Sequence, residues 1–297
     1  MLTDVQWEFT EPEQNVFNYT GGDVVLDIAE AQRKRIRCHN LVWISELPNW
    51  LVNGTWTNAT LTAVMVNHIT NLVEHWGDRC YSWDVVNEAL NSNGTFMDSI
   101  FYQYIGDEYF YIAYKAAADA VAATGKDIKL YYNDYGIESP SNKTTATVGL
   151  VKELQARGIK IDGIGFESHF EVGGTPSTAD QMAAMAEFAA LGLEVAQTEI
   201  DIRFTSLPYN TSGLAVQKYN YYETVAACIG SRNCIGMTVW DFVDEYSWVP
   251  GTFTGQGGAD LYGLYSSNYT RKPAYEGVAE ALTGQPCSDC LKAFPKS

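Results

Sequence analysis

Runs rich in β-branched and aromatic residues recur along the chain at Ile36–Trp43, Tyr81–Val86, Ile128–Tyr132, Ile161–Gly165, Leu193–Ile202 and Ile235–Trp240. Such runs predict strands. Between them, apolar residues at helical spacing predict helices over Leu61–Trp76, Tyr109–Ala123, Thr144–Arg157, Thr178–Leu191 and Ala215–Ile229, with a last one near Lys272–Leu282. Strands that alternate with helices in this way form a parallel sheet, because each strand needs a right-handed crossover to return. A strand-like fragment at Val5–Trp7, followed by a helix near Asp23–Arg33, adds a seventh strand. No linker, repeat or low-complexity stretch divides the chain, so residues 1–297 are expected to form a single domain with 284–297 as a C-terminal tail.

The placement of polar residues separates a closed barrel from an open doubly wound sheet. Trp43, Asn87–Glu88, Asn133–Asp134, Glu167–His169, Glu199–Asp201 and Trp240 all fall at the C-terminal ends of different predicted strands, which is where (β/α)8 barrels assemble their sites. The expected fold class is therefore α/β, a (β/α)8 TIM barrel, and a count of seven strands leaves the first one missing from this chain. The glycine cluster Gly255-Gln256-Gly257-Gly258 lies in a loop with no helix after it, which argues against a phosphate-binding turn.

Composition narrows the partners and the compartment. Nineteen Lys plus Arg against 36 Asp plus Glu give a net charge of -17, which repels nucleic acid and anionic lipid. Charges or amides interrupt every hydrophobic stretch, so no membrane span is expected. The first twenty residues contain Asp4, Glu8, Glu11 and Glu13 and cannot be the core of a signal peptide. Yet N-x-S/T sequons occur at Asn18, Asn53, Asn58, Asn93, Asn142, Asn210 and Asn268, an excess that points to a secreted, extracellular glycoprotein. The six Cys fit an oxidising compartment. Cys228 is expected to pair with Cys234 around a short loop, and Cys38 with Cys80 at the starts of two strand-like runs. Cys287-x-x-Cys290 has no second pair, so a local disulfide is expected there rather than a zinc half-site.

Glu88 ends one predicted strand and Glu199 another. A carboxylate at a buried strand end is costly unless something uses its charge. Two carboxyls flanking a cleft can cleave an acetal, one protonating the leaving oxygen while the other attacks or activates water. Serine and cysteine nucleophile motifs are not found.

The segments around these residues carry a resemblance. WDVVNEAL and QTEIDIR resemble the two signature segments of glycoside hydrolase family ten, the retaining β-1,4-xylanases. Arg37–Trp43 (RCHNLVW) resembles that family's third strand, Leu130–Tyr135 (LYYNDY) its fifth and Ile161–His169 (IDGIGFESH) its sixth. Met237–Trp240 with Trp248 resembles its eighth strand and aromatic lid, and Val5-Gln6-Trp7 falls on the end of its second. The resemblance implies that Glu88 is the general acid/base and Glu199 the nucleophile that forms a glycosyl-enzyme ester. It makes Asn87 the partner of the sugar 2-hydroxyl, with His169, oriented by Asp201, as a donor to Glu199. His39, Trp43, Tyr135, Trp240 and Trp248 become substrate-binding residues, the aromatic faces covering the apolar face of a sugar ring. Implied too are a polysaccharide or glycoside substrate, no cofactor, no metal and a monomeric state.

The chain also departs from that pattern. Where such xylanases carry an acid, an Asn and a Lys at the end of the second strand and a Gln after the third, this chain has Leu2, Thr3, Gln6 and Glu46. Glu167 replaces a Gln near the nucleophile, and as a third carboxyl it is expected to keep its proton. The altered positions belong to the glycone subsites rather than to bond cleavage. They leave open a tomatinase-like hydrolase of a plant glycoalkaloid or other β-glycoside beside the xylanase reading, and a catalytically inactive carbohydrate-binding or inhibitor-like barrel beside both.

Overall fold

The structure, a computed structural model, describes residues 5–263 and 269–292. The sequon at Asn268 and the substituted positions Leu2 and Thr3 lie outside the described residues. The chain groups into two compact units: Met1–Asp134, Asn142–Gly165 and Leu191–Leu193 form the first, and Tyr135–Ser141, Phe166–Ala190 and Glu194–Ser297 the second.

The first unit is built on parallel strands β1 (Arg37–Val42), β2 (Ser82–Asn87) and β3 (Lys129–Asp134), with the start of β4 (Gly163–Phe166) beside β3. All six residues of β2 are buried, as a strand covered on both faces requires. That burial includes Asp84, whose charge is met by Arg37 and by His39, Nδ1 of which lies 2.8 Å from Asp84 Oδ2. Asn40 donates its side-chain amide to His39 Nε2 at 3.1 Å, so Nδ1 is the protonated nitrogen of that ring. Gly163 is needed where it stands, because a Cβ there would fall 2.4 Å from the Tyr131 ring. The helix Asn58–Trp76 is started by a reciprocal Thr57–Thr60 capping box and packs Trp76, itself buried, near Trp83 of β2.

In the second unit, β6 (Glu194–Arg203) pairs in parallel with β5 (His169–Glu171) and with β7 (Cys234–Val239). Buried amides knit β6 to its helices: Gln197 donates both to Gln181 Oε1 at 3.1 Å and to the Thr224 carbonyl at 3.0 Å. Ser177 and Asn210 cap the helices Thr178–Ala189 and Thr211–Gly230, the latter closing on the disulfide Cys228–Cys234. Among the described residues no helix is long and apolar enough to cross a membrane.

One predicted element is corrected. Val5–Trp7 is not a strand: Val5 and Gln6 form a turn and Trp7–Thr10 a short helix. All three residues are buried, so the alternation of faces that a half-buried strand shows is absent. Local bonds replace a ladder, with the amides of Phe9 and Thr10 donating to the Gln6 carbonyl at 3.1 and 3.2 Å. Glu11 then fixes the turn by accepting from the Trp7 indole at 2.9 Å and from His68, whose ring stacks on Trp7 at 3.8 Å.

All six cysteines are paired, as Cys38–Cys80, Cys228–Cys234 and Cys287–Cys290. Cys38–Cys80 joins buried positions at the N-terminal ends of β1 and β2 across a sequence separation of 42. By loop-closure entropy a bridge of that span contributes about 4 kcal/mol. Replacing both cysteines by Ala is expected to lower the melting midpoint by about 5 to 10 °C, read by calorimetry. An unchanged midpoint would show that this bridge does not hold the β1–β2 pair.

Candidate active site

β6 leaves Glu199 and Asp201 on the same face of the sheet, two residues apart, and its pairing with β5 sets His169 opposite Asp201. His169 Nδ1 lies 3.0 Å from Asp201 Oδ1, and Nε2 lies 3.2 Å from Glu199 Oε2 and 3.8 Å from Glu167 Oε2. Burial works against a charged ring here. The charges of Asp201 and Glu199 outweigh it and raise the His169 pKa to about 10. The ring is thus an imidazolium at neutral and acidic pH, ion-paired through Nδ1 with Asp201 and donating from Nε2 to Glu199. Glu167, the neighbour that the sequence marks as an extra carboxyl, faces the same ring. Glu167, His169 and Glu199 place ligand-type atoms within 4.8 Å of one another, but a protonated imidazole offers no lone pair to a cation.

Trp240 and Trp248 flank the same ring, with centroids 6.0 and 5.0 Å from His169. The Trp248 indole donates to the second oxygen of Asp201 at 2.6 Å, so this buried carboxylate serves both the imidazole and the lid tryptophan. The sequence did not point to Arg203, whose role depends on contacts 50 residues away. It donates to Glu171 at 2.8 Å and to Gln256 at 2.9 Å, and its guanidinium lies 4.2 Å from the Phe253 ring, which packs edge-on against Trp248. Tyr135, in the turn after β3, is exposed.

The first unit carries the other half of the expected set. Asn87 closes β2 and is buried, accepting from the Asn133 side chain at 2.9 Å. Glu88 follows with φ of 51°, a left-handed backbone rarely taken by a non-glycine residue, and is half-buried. His39 lies inside β1 and Trp43 just beyond its end, their rings edge-on at 6.0 Å. Glu46 also has a left-handed backbone, with φ of 52°, and its carbonyl accepts the Glu8 amide at 3.0 Å. A hydrogen bond to the Glu8 carboxyl, then partial burial, then the Glu8 charge push Glu46 up to about 7. Below that pH Glu46 keeps its proton, and the hydrogen bond to Glu8 takes it up. Gln6 is buried beside them in sequence, its carbonyl committed to the helical turn.

Comparison with known proteins fits the resemblance. The model of glycosyl hydrolase family 10 matches residues 3–281. The chain belongs to that family. Its (β/α)8 class follows, since that is the family's fold. Endo-1,4-beta-xylanase D of Talaromyces funiculosus is 49% identical over 278 residues, covering 94% of this chain and 66% of that protein. Endo-1,4-beta-xylanase 5 of Pyricularia oryzae is 42% identical over 291 residues, covering 98% of this chain and 70% of that protein. The chain therefore spans about two thirds of the length of these curated relatives. Among solved structures, Penicillium canescens endo-1,4-beta-xylanase XylE is similar with a TM-score of 0.94 at 52% identity, over 97% of this chain and 86% of that one. A family 10 xylanase from Bispora sp. MEY-1, solved with xylobiose, has a TM-score of 0.91 at 51% identity, over 94% of this chain and 86% of that one.

If the imidazolium keeps Glu199 ionised, His169→Gln retains a donor but removes the charge. The acid limb of the kcat/KM profile is expected to move up by about one pH unit or more, since an opposite charge at this range shifts a carboxyl by that much. A limb that stays in place would show that His169 does not set the ionisation of Glu199.

Proposed function

We propose that the chain is a retaining endo-β-1,4-xylanase-type hydrolase that cleaves xylan through a covalent glycosyl-enzyme intermediate. In this reading residues 1–297 act as one hydrolase domain, in line with a family match that runs through both units. Glu88 protonates the leaving oxygen and later activates water, while Glu199 attacks the anomeric carbon. Asn87 holds the 2-hydroxyl, and His39, Trp43, Tyr135, Trp240 and Trp248 receive the sugar rings. The observation that carries the reading is the His169 imidazolium bonded to Glu199 at 3.2 Å and backed by Asp201, because a nucleophile must stay ionised where an acid must not. The named relatives are endo-xylanases, and one similar structure holds xylobiose. The enzyme works alone, as a secreted monomer. Its three disulfides and the exposure of the asparagines at 18, 53, 58, 93, 142 and 210 suit an extracellular glycoprotein.

Proton NMR of xylotetraose hydrolysis tests the reaction. The first product is expected as the β-anomer, and Glu199→Ala is expected to release none. Initial α-anomer would overturn the double displacement, and cleavage that survives Glu199→Ala would overturn the assignment of the nucleophile. Binding of xylotetraose without any cleavage by the wild type would favour an inactive barrel.

The Glu8–Glu46 proton pair favours a second reading, in which the glycone side has been reshaped for another β-glycoside. Restoring an amide and a cation with Glu46→Gln plus Gln6→Lys is then expected to raise kcat/KM on xylotetraose by about 5- to 150-fold, the worth of a charged hydrogen bond or two. A lower rate on xylotetraose after the double substitution would show that the existing residues already serve xylan.

A further inference from the structure

Behind Glu88 runs a buried chain of polar groups that bond cleavage does not itself explain. The two peptide groups flanking Glu88 are both tied to β3. Its own amide donates to the Asn133 carbonyl at 3.0 Å, and the amide of Ala89 donates to the Tyr132 hydroxyl at 3.1 Å. A hydroxyl that accepts there turns its single proton elsewhere, and it donates to Asp134 Oδ2. The other oxygen of Asp134 receives Lys143 Nζ at 2.6 Å. Asp134 is fully buried and Lys143 nearly so, although the helix Asn142–Ala156 that carries Lys143 has an exposed face on which a lysine could have been solvated.

A fully buried ion pair is a poor way to stabilise a fold, since matching apolar residues do as well or better. Three features of this pair point instead to Glu88. The chain ends on the peptide that gives Glu88 its left-handed backbone, a conformation that costs a non-glycine residue energy unless the surroundings enforce it. Tyr132 lies against Phe110 of the helix Glu108–Thr124 and carries its hydroxyl into the chain, where a phenylalanine would fill the same space. The Asp134 carboxylate also feels the charge of Glu88, and the interaction is reciprocal: a negative charge on Asp134 favours the protonated form of Glu88.

We propose that Lys143, Asp134 and Tyr132 are positioning residues for Glu88, fixing the direction of its carboxyl through the Ala89 peptide and, once Asp134 ionises, setting a negative charge behind it. The proposal rests on the reading of Glu88 as the acid/base. The groups that face Asp134 are Lys143, Tyr132, Glu88 and Tyr109, the last a buried phenol held neutral. Burial pushes Asp134 up to about 7, against the pull of Lys143 and of the Tyr132 hydrogen bond, so its charge acts on Glu88 above about that pH, on the basic limb.

General acid help matters for a sugar leaving group and little for a dinitrophenolate, which departs without a proton. The experiment therefore compares kcat/KM on xylotetraose with kcat/KM on 2,4-dinitrophenyl β-xylobioside, using Glu88→Ala as reference. Glu88→Ala is expected to lose about 100-fold or more on xylotetraose and only a few-fold on the aryl glycoside. Tyr132→Phe, which keeps the ring, is expected to lose about 10-fold on xylotetraose and less than about 2-fold on the aryl glycoside. Asp134→Asn is expected to move the basic limb of the xylotetraose profile down by about half a unit or more, because removing the charge behind Glu88 weakens its hold on a proton. If Asp134→Asn does not fold, Tyr132→Phe and Lys143→Met carry the comparison. Equal losses on the two substrates for Tyr132→Phe and Lys143→Met would overturn the proposal and leave the chain a structural ion pair. If Glu88→Ala itself fails to separate the substrates, the acid/base reading falls and takes the proposal with it.

Discussion

The part proposed for Glu199 depends on one buried ion pair, His169 with Asp201. A neutral imidazole at this place could give only one hydrogen, either to Asp201 or to Glu199. The full charge of Asp201 allows the ring to keep both protons, and the second then reaches Glu199. The pairing of β5 with β6 is what sets the two residues opposite each other, so the short strand His169–Glu171 has a chemical as well as a structural reason to exist. Glu167 and Trp248 are arranged around the same charge, one facing the ring and the other bonded to its counter-ion.

Much of this was legible in the sequence because parallel strands buried on both faces leave few alternatives. The six main strand predictions fall on β1 to β4, β6 and β7 with ends shifted by one or two residues, and the long helices agree to within four. Asn87, Glu88, Glu199 and Asp201 could be picked out because each is a polar residue at the end of an apolar run. Val5–Trp7 misled for the opposite reason. Its β-like composition comes from a buried tryptophan fixed by Glu11 and His68, which are partners near and far in the chain that no local pattern reveals. Lys143 and Arg203 were invisible on the same ground. A lysine or arginine in an amphipathic or strand-end segment reads as solvated surface, and only the fold brings Asp134 to the one and Gln256 and Phe253 to the other.

Glu199 and Glu88 meet the problem of buried charge differently. Around Glu199 a cation is provided directly to the carboxyl. Behind Glu88 the cation of Lys143 is spent on Asp134, and what reaches the neighbourhood of Glu88 is the negative end of that pair and a fixed peptide. Opposite local fields around two identical side chains are what divided roles demand of them. The departures at Glu46 and Gln6 stand apart from both arrangements, so variation in which sugar is held can proceed without disturbing how its bond is broken.

The shared use of Asp201 has a bearing on protein engineering. Loop grafting assumes that a lid is a module, exchangeable without touching what lies under it. Here the Trp248 indole takes one oxygen of the carboxylate whose other oxygen charges the His169 ring. A redesigned loop that withdraws the indole leaves that oxygen to water or to nothing, and the surroundings of His169 and Glu199 change along with the loop. Selectivity and rate are wired through a single side chain, and a library that randomises the lid samples both at once.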